Sequence, residues 1–550
     1  MEYQLILSIA PPLIAIILAL ITRQVIPSLL AGLWIGSFIV SPGILSSVAK
    51  TTEYITGTLS DTENLDVLLF LYAFSGLVAI IELSGGVQGF ARLLSRIIKS
   101  KRGTLFGLWA LVAITFIDCG FRVVATGSIM KAIIQKHGIS RERFAFMLNN
   151  SASPVVALIP VATTFVGYMV GVTASGLQVA GVDASPYMTF ISSIPYNFFS
   201  FTSLGVVLLS ILGVLNFSTM KRLEEKTREN ETGLKERSRH MTGEPDYKDQ
   251  ITNNRKEKAA FSFEAGQEMP PEIHDKKHAY GKDKHMKHDI TDNAGREERM
   301  NSKDHKAHGG MAMDHEMGEI DMNIEPRPWN LIVPIVIIIP LSIYLIWWSG
   351  RGNGGNTLLE IFTNANSSRA MLLALFITTV ISVVFYRLQG IQLKEMISRF
   401  IKGGNRLMMT IAILAVAWPI AQVSKDLGLP DLITATVGNW IPAFMVPFIT
   451  FLITGLVTFF IGSSWGTWAL MMPLAIPLAV VAGASIPMTV GAVFAGGTFG
   501  DVSSPLSGMG AMSSGIAEVE HMDYITAQLP YNITAAVIAA VAFFLIPLII

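Results

Sequence analysis

The chain has 550 residues, of which 51% are hydrophobic and only 15% charged, and its 41 Lys and Arg residues equal its 41 Asp and Glu residues. An ordinary soluble domain carries roughly 25% charged residues, so this composition argues against a soluble enzyme and favours a polytopic membrane protein. We expect no nucleic-acid partner, because the one strongly charged segment is mixed in sign and slightly acidic. The single cysteine, Cys119, excludes an intrachain disulfide and any CxxC site.

Apolar runs long enough to cross a bilayer as a helix recur along the whole chain. Seven runs precede a charged central segment, at residues 5–22, 26–40, 65–81, 104–117, 123–134, 144–171 and 198–215. Seven follow it, at residues 331–348, 371–385, 407–423, 442–461, 465–481, 488–515 and 533–550. No basic segment precedes the first run, so we expect a retained span and not a removed signal peptide. The sequence predicts an all-α polytopic membrane protein with about 10–14 membrane segments.

The central segment, residues 221–328, carries 21 Lys or Arg and 24 Asp or Glu. It contains few apolar residues, so we expect a largely disordered loop between an N-terminal membrane repeat, 1–220, and a C-terminal one, 329–550. Eight of the ten histidines lie in it. Imidazole binds copper and zinc, and thioether sulfur binds monovalent copper. The candidate ligands for such a metal are His305, His308, Met311, Met313, His315 and Met317. A solvated loop without metal is the alternative, because the histidine spacing is irregular.

The two flanking halves present the same order of segments, which predicts two structural repeats. The stretches 138–154 and 483–505 both begin with Gly-x-Ser and end in Ser-Pro. Lys and Arg collect in short cytoplasmic loops, and here they cluster at 92–102 and 387–406. This places the N-terminus outside, the 221–328 loop in the cytoplasm and the repeats in inverted orientation. Inverted repeats with discontinuous or re-entrant helices are typical of secondary transporters.

One loop fits this orientation poorly. Glu518, Glu520 and Asp523 fall on the predicted cytoplasmic side without a Lys or Arg among them. The positive-inside pattern therefore leaves this acidic loop unexplained.

Carboxylates within or beside apolar runs are candidates for function, because a charge in the bilayer costs at least a few kcal/mol. Asp118 follows the run 104–117, and Asp501 lies inside the run 488–515. Burial favours the protonated form of a carboxylate and a bound cation favours the ionised form. One such group can therefore exchange a proton for a cation. Asp118 could instead pair with Arg122, four residues on, and Asp501 could cap a half-helix.

Polar, glycine-bearing or proline-bearing stretches interrupt the apolar runs near these carboxylates. Broken backbone at membrane depth is tolerated only where it lines a cavity or is buried in protein, and hydroxyl and amide oxygens are ligands for small hard cations. We predict that ten neutral side chains line an ion cavity: Asn149, Asn150, Ser151, Ser153, Ser463, Ser464, Thr467, Ser503, Ser504 and Ser507. For the 149–153 stretch, a polar interface between packed helices is the alternative.

A set of spaced motifs covers most of both halves but not the central segment. In the second half the motifs are Trp465-Gly466-Thr467, Phe499-Gly500-Asp501, Ser504-Pro505, Ser513-Ser514, Asp523 and Gln528-Leu529-Pro530-Tyr531. In the first half they are Gly85-Gly86, Asp118, Ser140-Arg141-Glu142 and Ser151 to Pro154 followed by Pro160. These motifs resemble the NhaC-type sodium/proton antiporter family of the ion transporter superfamily.

The resemblance implies an inverted-repeat exchanger of cytoplasmic sodium for external protons, with some relatives exchanging organic acids or amino acids together with cations. The sequence departs from the family pattern at two positions. The family usually has an aspartate where this chain has Asn149, and commonly another where it has Gly508. Fewer carboxylates are then available to a cation, which leaves stoichiometry and cargo open.

These observations predict a secondary antiporter of a prokaryotic plasma (inner) membrane, not an enzyme, that exchanges sodium or another monovalent cation for protons by alternating access. Asp118 and Asp501 would alternately hold cation and proton. The expected partners are the lipid bilayer and small ions, no cofactor is needed, and assembly as a homodimer is left open. One alternative is a cation-coupled carrier of small organic acids or amino acids. Another is a metal-responsive membrane protein that acts through the His/Met-rich loop.

Overall fold

A computed structural model describes residues 7–97, 100–116, 118–137, 139–222, 225, 325–437 and 441–549 of the chain. Within these residues all regular secondary structure is helical. The first half contains α1 (Ala10–Thr22), α2 (Val25–Val40), α3 (Ile44–Leu59), α4 (Thr62–Leu83), α5 (Gly86–Ile97), α6 (Lys101–Ala110), α7 (Val112–Thr115), α8 (Cys119–Lys136), α9 (Arg141–Asn150), α10 (Ser153–Val156), α11 (Thr164–Ala180), α12 (Pro186–Ser193) and α13 (Phe198–Leu212).

The second half begins where the described chain resumes. It contains α14 (Trp329–Gly352), α15 (Leu358–Asn364), α16 (Ser367–Leu388), α17 (Leu393–Arg406), α18 (Met408–Asp426), α19 (Leu429–Val437), α20 (Met445–Ile461), α21 (Ser464–Ala482), α22 (Ile486–Ser503), α23 (Gly508–Ala517) and α24 (His521–Leu545). Short 3-10 turns, Ile194–Tyr196 and Ile546–Leu548, follow α12 and α24.

Six of the described helices are long and apolar enough to cross a bilayer: α4, α14, α16, α18, α21 and α24. Two further pairs of consecutive helices are long and apolar enough when each pair is taken together, although the chain bends between them. The bend is 116° between α2 and α3 and 41° between α12 and α13. Shorter apolar helices are α1, α11 and α20. The predicted all-α polytopic membrane fold is therefore confirmed. The inverted relation between the halves stays a prediction.

The helices differ in how much of their surface the protein covers. In the most apolar segment of α14, 33% is buried inside the protein, whereas in the corresponding segment of α4 the buried share is 72%. The uncovered side of α14 is apolar and carries Trp329 and Trp348 near its two ends, both largely exposed. Tryptophans at both ends of a span are typical of the membrane interfaces. We infer that α14 faces lipid and that α4 belongs to the interior.

Described residues on both sides of the central segment belong to one compact unit. The chain resumes against α5, where a Cβ added to Gly89 would lie 2.4 Å from the Arg327 carbonyl carbon, so only glycine allows this approach. The predicted loop 221–328 lies outside the described residues, apart from its ends. The candidate metal ligands His305, His308, Met311, Met313, His315 and Met317 lie outside them as well.

Aromatic side chains join the two halves near the interior. Phe165 and Tyr168 of α11 contact Trp465 of α21, with ring centroids 4.8 and 4.7 Å apart and near-perpendicular planes. The Tyr168 hydroxyl also donates to the Trp465 carbonyl. Edge-to-face packing of this kind adds to the stabilisation from buried apolar area. It holds the start of α21 against the first half.

Two predicted runs are interrupted, as their polar residues indicate. The run 144–171 is divided among α9, α10 and α11, and the run 488–515 between α22 and α23. In the first break the Ser151 hydroxyl donates to the Met147 carbonyl. In the second, the Ser504 hydroxyl donates to the Phe459 carbonyl at 2.6 Å and accepts from the Leu506 amide at 3.0 Å. Local hydroxyls therefore satisfy backbone groups that a broken helix frees.

Candidate ion site

Asp501 lies in the last turn of α22 and is the most enclosed carboxylate of the candidate site, with 5% of its surface exposed. Its Oδ1 accepts a hydrogen bond from the Ser507 hydroxyl at 2.9 Å. Its Oδ2 accepts from the hydroxyls of Ser153 and Ser464, each at 3.3 Å. Three separate elements thus converge on one carboxylate: α10, the start of α21 and the break after α22. Among the described side chains, Asp501 has no basic partner.

Helix capping fixes the positions of these hydroxyls. Gly462 has φ 76°, which ends α20 in a conformation that glycine adopts without strain. Ser463 then caps α21 by accepting from the Gly466 amide at 3.4 Å, and Ser464 is the first helical residue. Ser507 caps α23 in the same way, accepting from the Gly510 amide at 3.3 Å while it donates to Asp501. The caps therefore set the two hydroxyls beside the carboxylate.

A group of buried amides lies next to Asp501 and converges on the Val502 carbonyl. That carbonyl accepts from the amide nitrogens of Asn149 at 3.1 Å, Gln528 at 2.8 Å and Asn532 at 3.2 Å. Gln528 Oε1 also accepts from Asn150 at 3.2 Å. The side chains connect the break after α9, the end of α22 and the middle of α24. Gln528 and Asn532 were missed as site residues by the sequence analysis, although Gln528 belongs to one of the quoted motifs.

Two oxygen atoms in this region are buried without a hydrogen-bond partner. They are Asn149 Oδ1 and Ser503 Oγ. Buried polar atoms are nearly always paired, and both oxygens carry free lone pairs that could accept from a donor or bind a cation. The surroundings of Asp501 therefore contain a carboxylate, several hydroxyls and spare neutral oxygens, which is the set that a small hard cation binds.

Asp118 directly precedes α8 and is less enclosed than Asp501. Its Oδ1 accepts from the Phe121 amide at 2.8 Å, as a helix cap does, and its Oδ2 accepts from the Thr164 hydroxyl at 2.8 Å. The expected alternative, a salt bridge to Arg122, is absent from the described contacts. The capping geometry explains the difference, because it folds the carboxylate back toward the amide three residues on and away from the side chain four residues on.

Arg122 is fully buried, and its partners among the described residues are neutral oxygens. Nη1 donates to the Thr115 hydroxyl at 2.8 Å and Nη2 donates to the Ser151 hydroxyl at 2.7 Å. Nη2 also lies 3.5 Å from the Leu108 carbonyl, and Nε has no partner. Ser151 is two residues from Ser153, which donates to Asp501. The break after α9 thus has a buried cation on one side and a buried carboxylate on the other.

The predicted site residues divide into those near a carboxylate and those with local roles. Ser153, Ser464 and Ser507 donate to Asp501. Of the other seven predicted side chains, Ser503 has a buried hydroxyl without a hydrogen-bond partner. The other six serve caps, backbone carbonyls or the amide group: Asn149, Asn150, Ser151, Ser463, Thr467 and Ser504. Within the described residues no cluster of His, Cys, Asp and Glu fits a metal ion.

Comparisons with known proteins agree with the helical membrane fold. Residues 155–546 match the Na+/H+ antiporter family. A protein of Haemophilus influenzae, of uncharacterised function, is 24% identical over 98% of this chain and 90% of its own length. A malate-2H(+)/Na(+)-lactate antiporter of Bacillus subtilis is 27% identical over 32% of this chain and 41% of its own length. The YdaH transporter of Alcanivorax borkumensis superposes with a TM-score of 0.53 at 12% identity, over 91% of this chain and 89% of that one.

The family match covers well over half of the chain and includes Asp501 and the motifs around it. It confirms the resemblance drawn from the spaced motifs, and the matched antiporters agree with the prediction that the chain is not an enzyme. The protein belongs to the Na+/H+ antiporter family and is a multi-pass secondary transporter.

Proposed function

We propose that this transporter exchanges sodium for protons and that Asp501 is the carboxylate for which the two ions compete. The observation that carries the proposal is the convergence of three hydroxyls from three elements on a buried carboxylate that has no basic partner among the described residues. A lone ionised carboxylate in such a place is costly unless a cation or a proton neutralises it. The site therefore favours one of the two ions at all times.

The hydroxyls suit both states. With Asp501 ionised and sodium bound, Ser153, Ser464 and Ser507 can turn their lone pairs to the ion while Asp501 supplies the charge. With Asp501 protonated, one of these hydroxyls can accept a hydrogen bond from its O–H group while the others donate to its carbonyl oxygen. The empty charged form is rare because an unneutralised buried carboxylate is costly, and sodium and the proton exclude each other at it. Exchange follows if the loaded site faces each side of the membrane in turn.

The roles of the halves and of Asp118 complete the proposal. The repeats 1–220 and 329–550 would move relative to each other in a plasma (inner) membrane, with the 221–328 loop in the cytoplasm. Asp118, half-buried and linked to Thr164, would be a second carboxylate on the ion path. Its greater exposure suits the capture or release of ions at the edge of the site.

Everted membrane vesicles test the proposal. Addition of sodium should dissipate a preformed proton gradient in vesicles with the wild-type protein, and Asp501→Asn should abolish that response. Ser464→Ala and Ser507→Ala should each raise the sodium concentration for half-maximal response by about 3- to 10-fold, as expected for roughly 1 kcal/mol per neutral ligand. The fluorescence of a pH-sensitive dye reports the gradient.

Asp426→Asn is the matched control for Asp501→Asn. Asp426 also accepts hydrogen bonds from neutral side chains, Tyr54 at 2.7 Å and Gln422 at 2.8 Å, but it is exposed at the end of α18. This variant should keep the sodium response of the wild type. Full exchange in Asp501→Asn, at wild-type protein levels, would show that another group carries the ions.

A second candidate function is the exchange of small organic acids or amino acids together with a cation. The relative from Bacillus subtilis is named for malate and lactate, and the buried guanidinium of Arg122 is a favourable partner for a carboxylate. Uptake of labelled malate or lactate by the same vesicles would separate the two candidates. The metal-responsive alternative rests on the His/Met-rich loop alone and stays a prediction. Deletion of residues 240–322 should leave sodium/proton exchange intact.

A further inference from the structure

Helix α17 has an apolar face that the protein covers on one side only. On the covered side Gly403 packs against α4, where an added Cβ would lie 2.5 Å from the Ser75 carbonyl oxygen, and the Ser75 hydroxyl donates to the Gly403 carbonyl at 2.7 Å. On the adjoining side Leu393, Ile397 and Ile401 follow one another at four-residue spacing and so form a line along the helix. They are 50%, 52% and 48% exposed. The described protein therefore leaves half of this apolar line open.

The side of α17 beyond this line is basic. The helix carries four Lys or Arg residues and one Glu. Arg406 pairs with Glu82 of α4 at 2.8 Å, whereas Lys394, Arg399 and Lys402 form no ion pair among the described residues. Lys394 and Lys402 are exposed and lie roughly 80° apart around the helix. Unpaired positive charge thus borders the open apolar line.

The end of the preceding helix places α17 at a membrane surface. In the most apolar segment of α16 only 39% is buried inside the protein, so we infer that much of this span faces lipid. It ends at Leu388, which is largely exposed. Gly390, with φ 96°, then turns the chain into α17. Because short loops rich in Lys and Arg are typically cytoplasmic, the sequence predicts that this surface is the cytoplasmic one.

We propose that α17 is a docking surface for anionic phospholipids. Leu393, Ile397 and Ile401 would lie at the boundary of the acyl chains, and Lys394 and Lys402 would bind the headgroup phosphates. Helices with an apolar face beside a basic one lie in the membrane interface and are drawn to anionic lipids. The proposal goes beyond ion exchange and does not depend on which ions the transporter moves.

Charge complementarity favours lipid over a second copy of this chain as the occupant. In a symmetric dimer the same patch of both copies meets, so two α17 helices would bring Lys394 and Lys402 against the same residues of the partner copy. Like charges brought together at an interface are unfavourable. Anionic headgroups offset these charges instead.

A fluorophore on α17 tests the surface in lipid vesicles. Ser398→Cys in a Cys119→Ala background places a single label at an exposed position between the two lysines. In phosphatidylcholine vesicles, brominated phosphatidylglycerol should quench this label at a lower lipid fraction than brominated phosphatidylcholine does, by about 5-fold or more. Each Lys or Arg near an anionic surface contributes about that factor. Adding Lys394→Gln and Lys402→Gln should make the two lipids quench about equally.

Two further variants are the controls. Arg351→Gln with Lys425→Gln also removes two positive charges, at exposed positions in the last turns of α14 and α18, and should leave the preference for phosphatidylglycerol unchanged. Lys394→Arg with Lys402→Arg keeps both charges on α17 and should keep the preference as well.

The remaining outcomes would overturn the proposal. Equal quenching by the two lipids in the labelled background, or a preference that survives the loss of both lysines, would show that α17 does not select anionic lipid. Weak quenching by both lipids, with cross-linking of two copies through Ser398→Cys, would identify this face as a contact between copies. Should the variant without both lysines fail to fold, an unchanged preference in Lys402→Gln would be evidence enough. None of these measurements involves sodium-driven proton flux, so the surface is tested apart from the proposed ion exchange.

Discussion

Asp118 caps a helix, and the proposed function also gives its charge a role in transport; two substitutions can separate the two roles. It caps α8 through the Phe121 amide at 2.8 Å, and asparagine caps a helix about as well as aspartate, whereas alanine does not. Asp118→Asn should therefore unfold at the wild-type temperature. In Asp118→Ala, the free energy of unfolding should fall by about 1 kcal/mol. Both variants should be impaired in sodium-dependent proton flux, because both lack the charge. If Asp118→Asn keeps the full sodium-dependent proton flux in everted vesicles, Asp118 acts only as a helix cap.

Gly497 lies where two helices of the second half meet. A Cβ at this position of α22 would lie 2.0 Å from Nε1 of Trp468 in α21. Gly497→Ala should therefore destabilise the protein by about 1–3 kcal/mol through overpacking. Gly515→Ala, in α23, is the control, since nothing lies within 4 Å of its Cβ and alanine favours a helix interior. Thermal unfolding of the purified proteins measures the stability of both variants. A wild-type unfolding midpoint for Gly497→Ala would contradict the close contact between Gly497 and Trp468.

At the residue scale, the sequence predicts the carboxylates of the candidate site better than the side chains that donate hydrogen bonds to them. Asp118 and Asp501 are visible because carboxylates are rare in apolar runs. Nothing in the spacing indicates which hydroxyls donate to them, since Ser464 and Ser507 reach Asp501 through tertiary packing of α21 and α23. Gln528 was missed as a site residue because it precedes the predicted run 533–550. An uncharged side chain there gives only a weak signal until its carbonyl partner on Val502 is known.

At the element scale, the longest apolar helices were predicted well and the boundaries of the polar ones were not. The predicted run 533–550 belongs to α24, which begins twelve residues earlier at His521 because Glu520 caps it through the Met522 and Asp523 amides. Helices α3, α5 and α17 lie outside the predicted apolar runs, because they carry charged or polar side chains in every turn. Hydropathy detects long continuous runs of apolar residues. A helix that packs against the protein with one face only has no such run, because its other face is polar.

In the acidic loop that contradicts the positive-inside pattern, Glu518 has basic partners from the other half. Glu518, with φ 56° at the end of α23, accepts from Lys131 Nζ at 2.5 Å and from Arg141 Nη1 at 3.2 Å. These residues belong to α8 and α9. The local charge of this face is therefore balanced across the halves, which the order of residues along the chain does not reveal.

This cluster makes the stability of the protein depend on pH. The hydrogen bond from Lys131 and its charge lower the pKa of Glu518, so the stabilising contribution is present above the unfolded pKa of about 4.3 and is lost as the pH falls through the lower folded pKa. Glu518→Gln should melt slightly below the wild type at neutral pH, with the difference vanishing at acid pH. Asp183→Asn, at an exposed loop position, should show no such convergence. A pH-independent difference would contradict the ion-pair explanation.

At the scale of the whole molecule, the candidate site exists only because the halves interlock. Asp501 and Ser464 come from the second half, while Ser153 and Asn149 come from the first. The sequence predicts that both halves contribute, since each carries an interrupted span with polar residues. It does not predict the register in which the breaks meet, because that depends on packing such as the Trp465 contacts with α11. A relative movement of the halves would open the Ser153 contact of Asp501, whereas Ser464 and Ser507 belong to the same half as Asp501.

Cys119 reports such a movement without any engineering, since it is the single cysteine of the chain. It is 5% exposed and directly follows Asp118 in the chain. Alternating access requires this region to open, so N-ethylmaleimide should label Cys119 slowly in one ion condition and several-fold faster in another. Labelling of purified protein, followed by mass spectrometry over a series of sodium concentrations and pH values, measures the rates. Cys119→Ala gives the unlabelled background. One uniformly slow rate under all conditions, in protein that still exchanges sodium for protons, would mean that the ions reach Asp501 by a route that leaves the start of α8 closed.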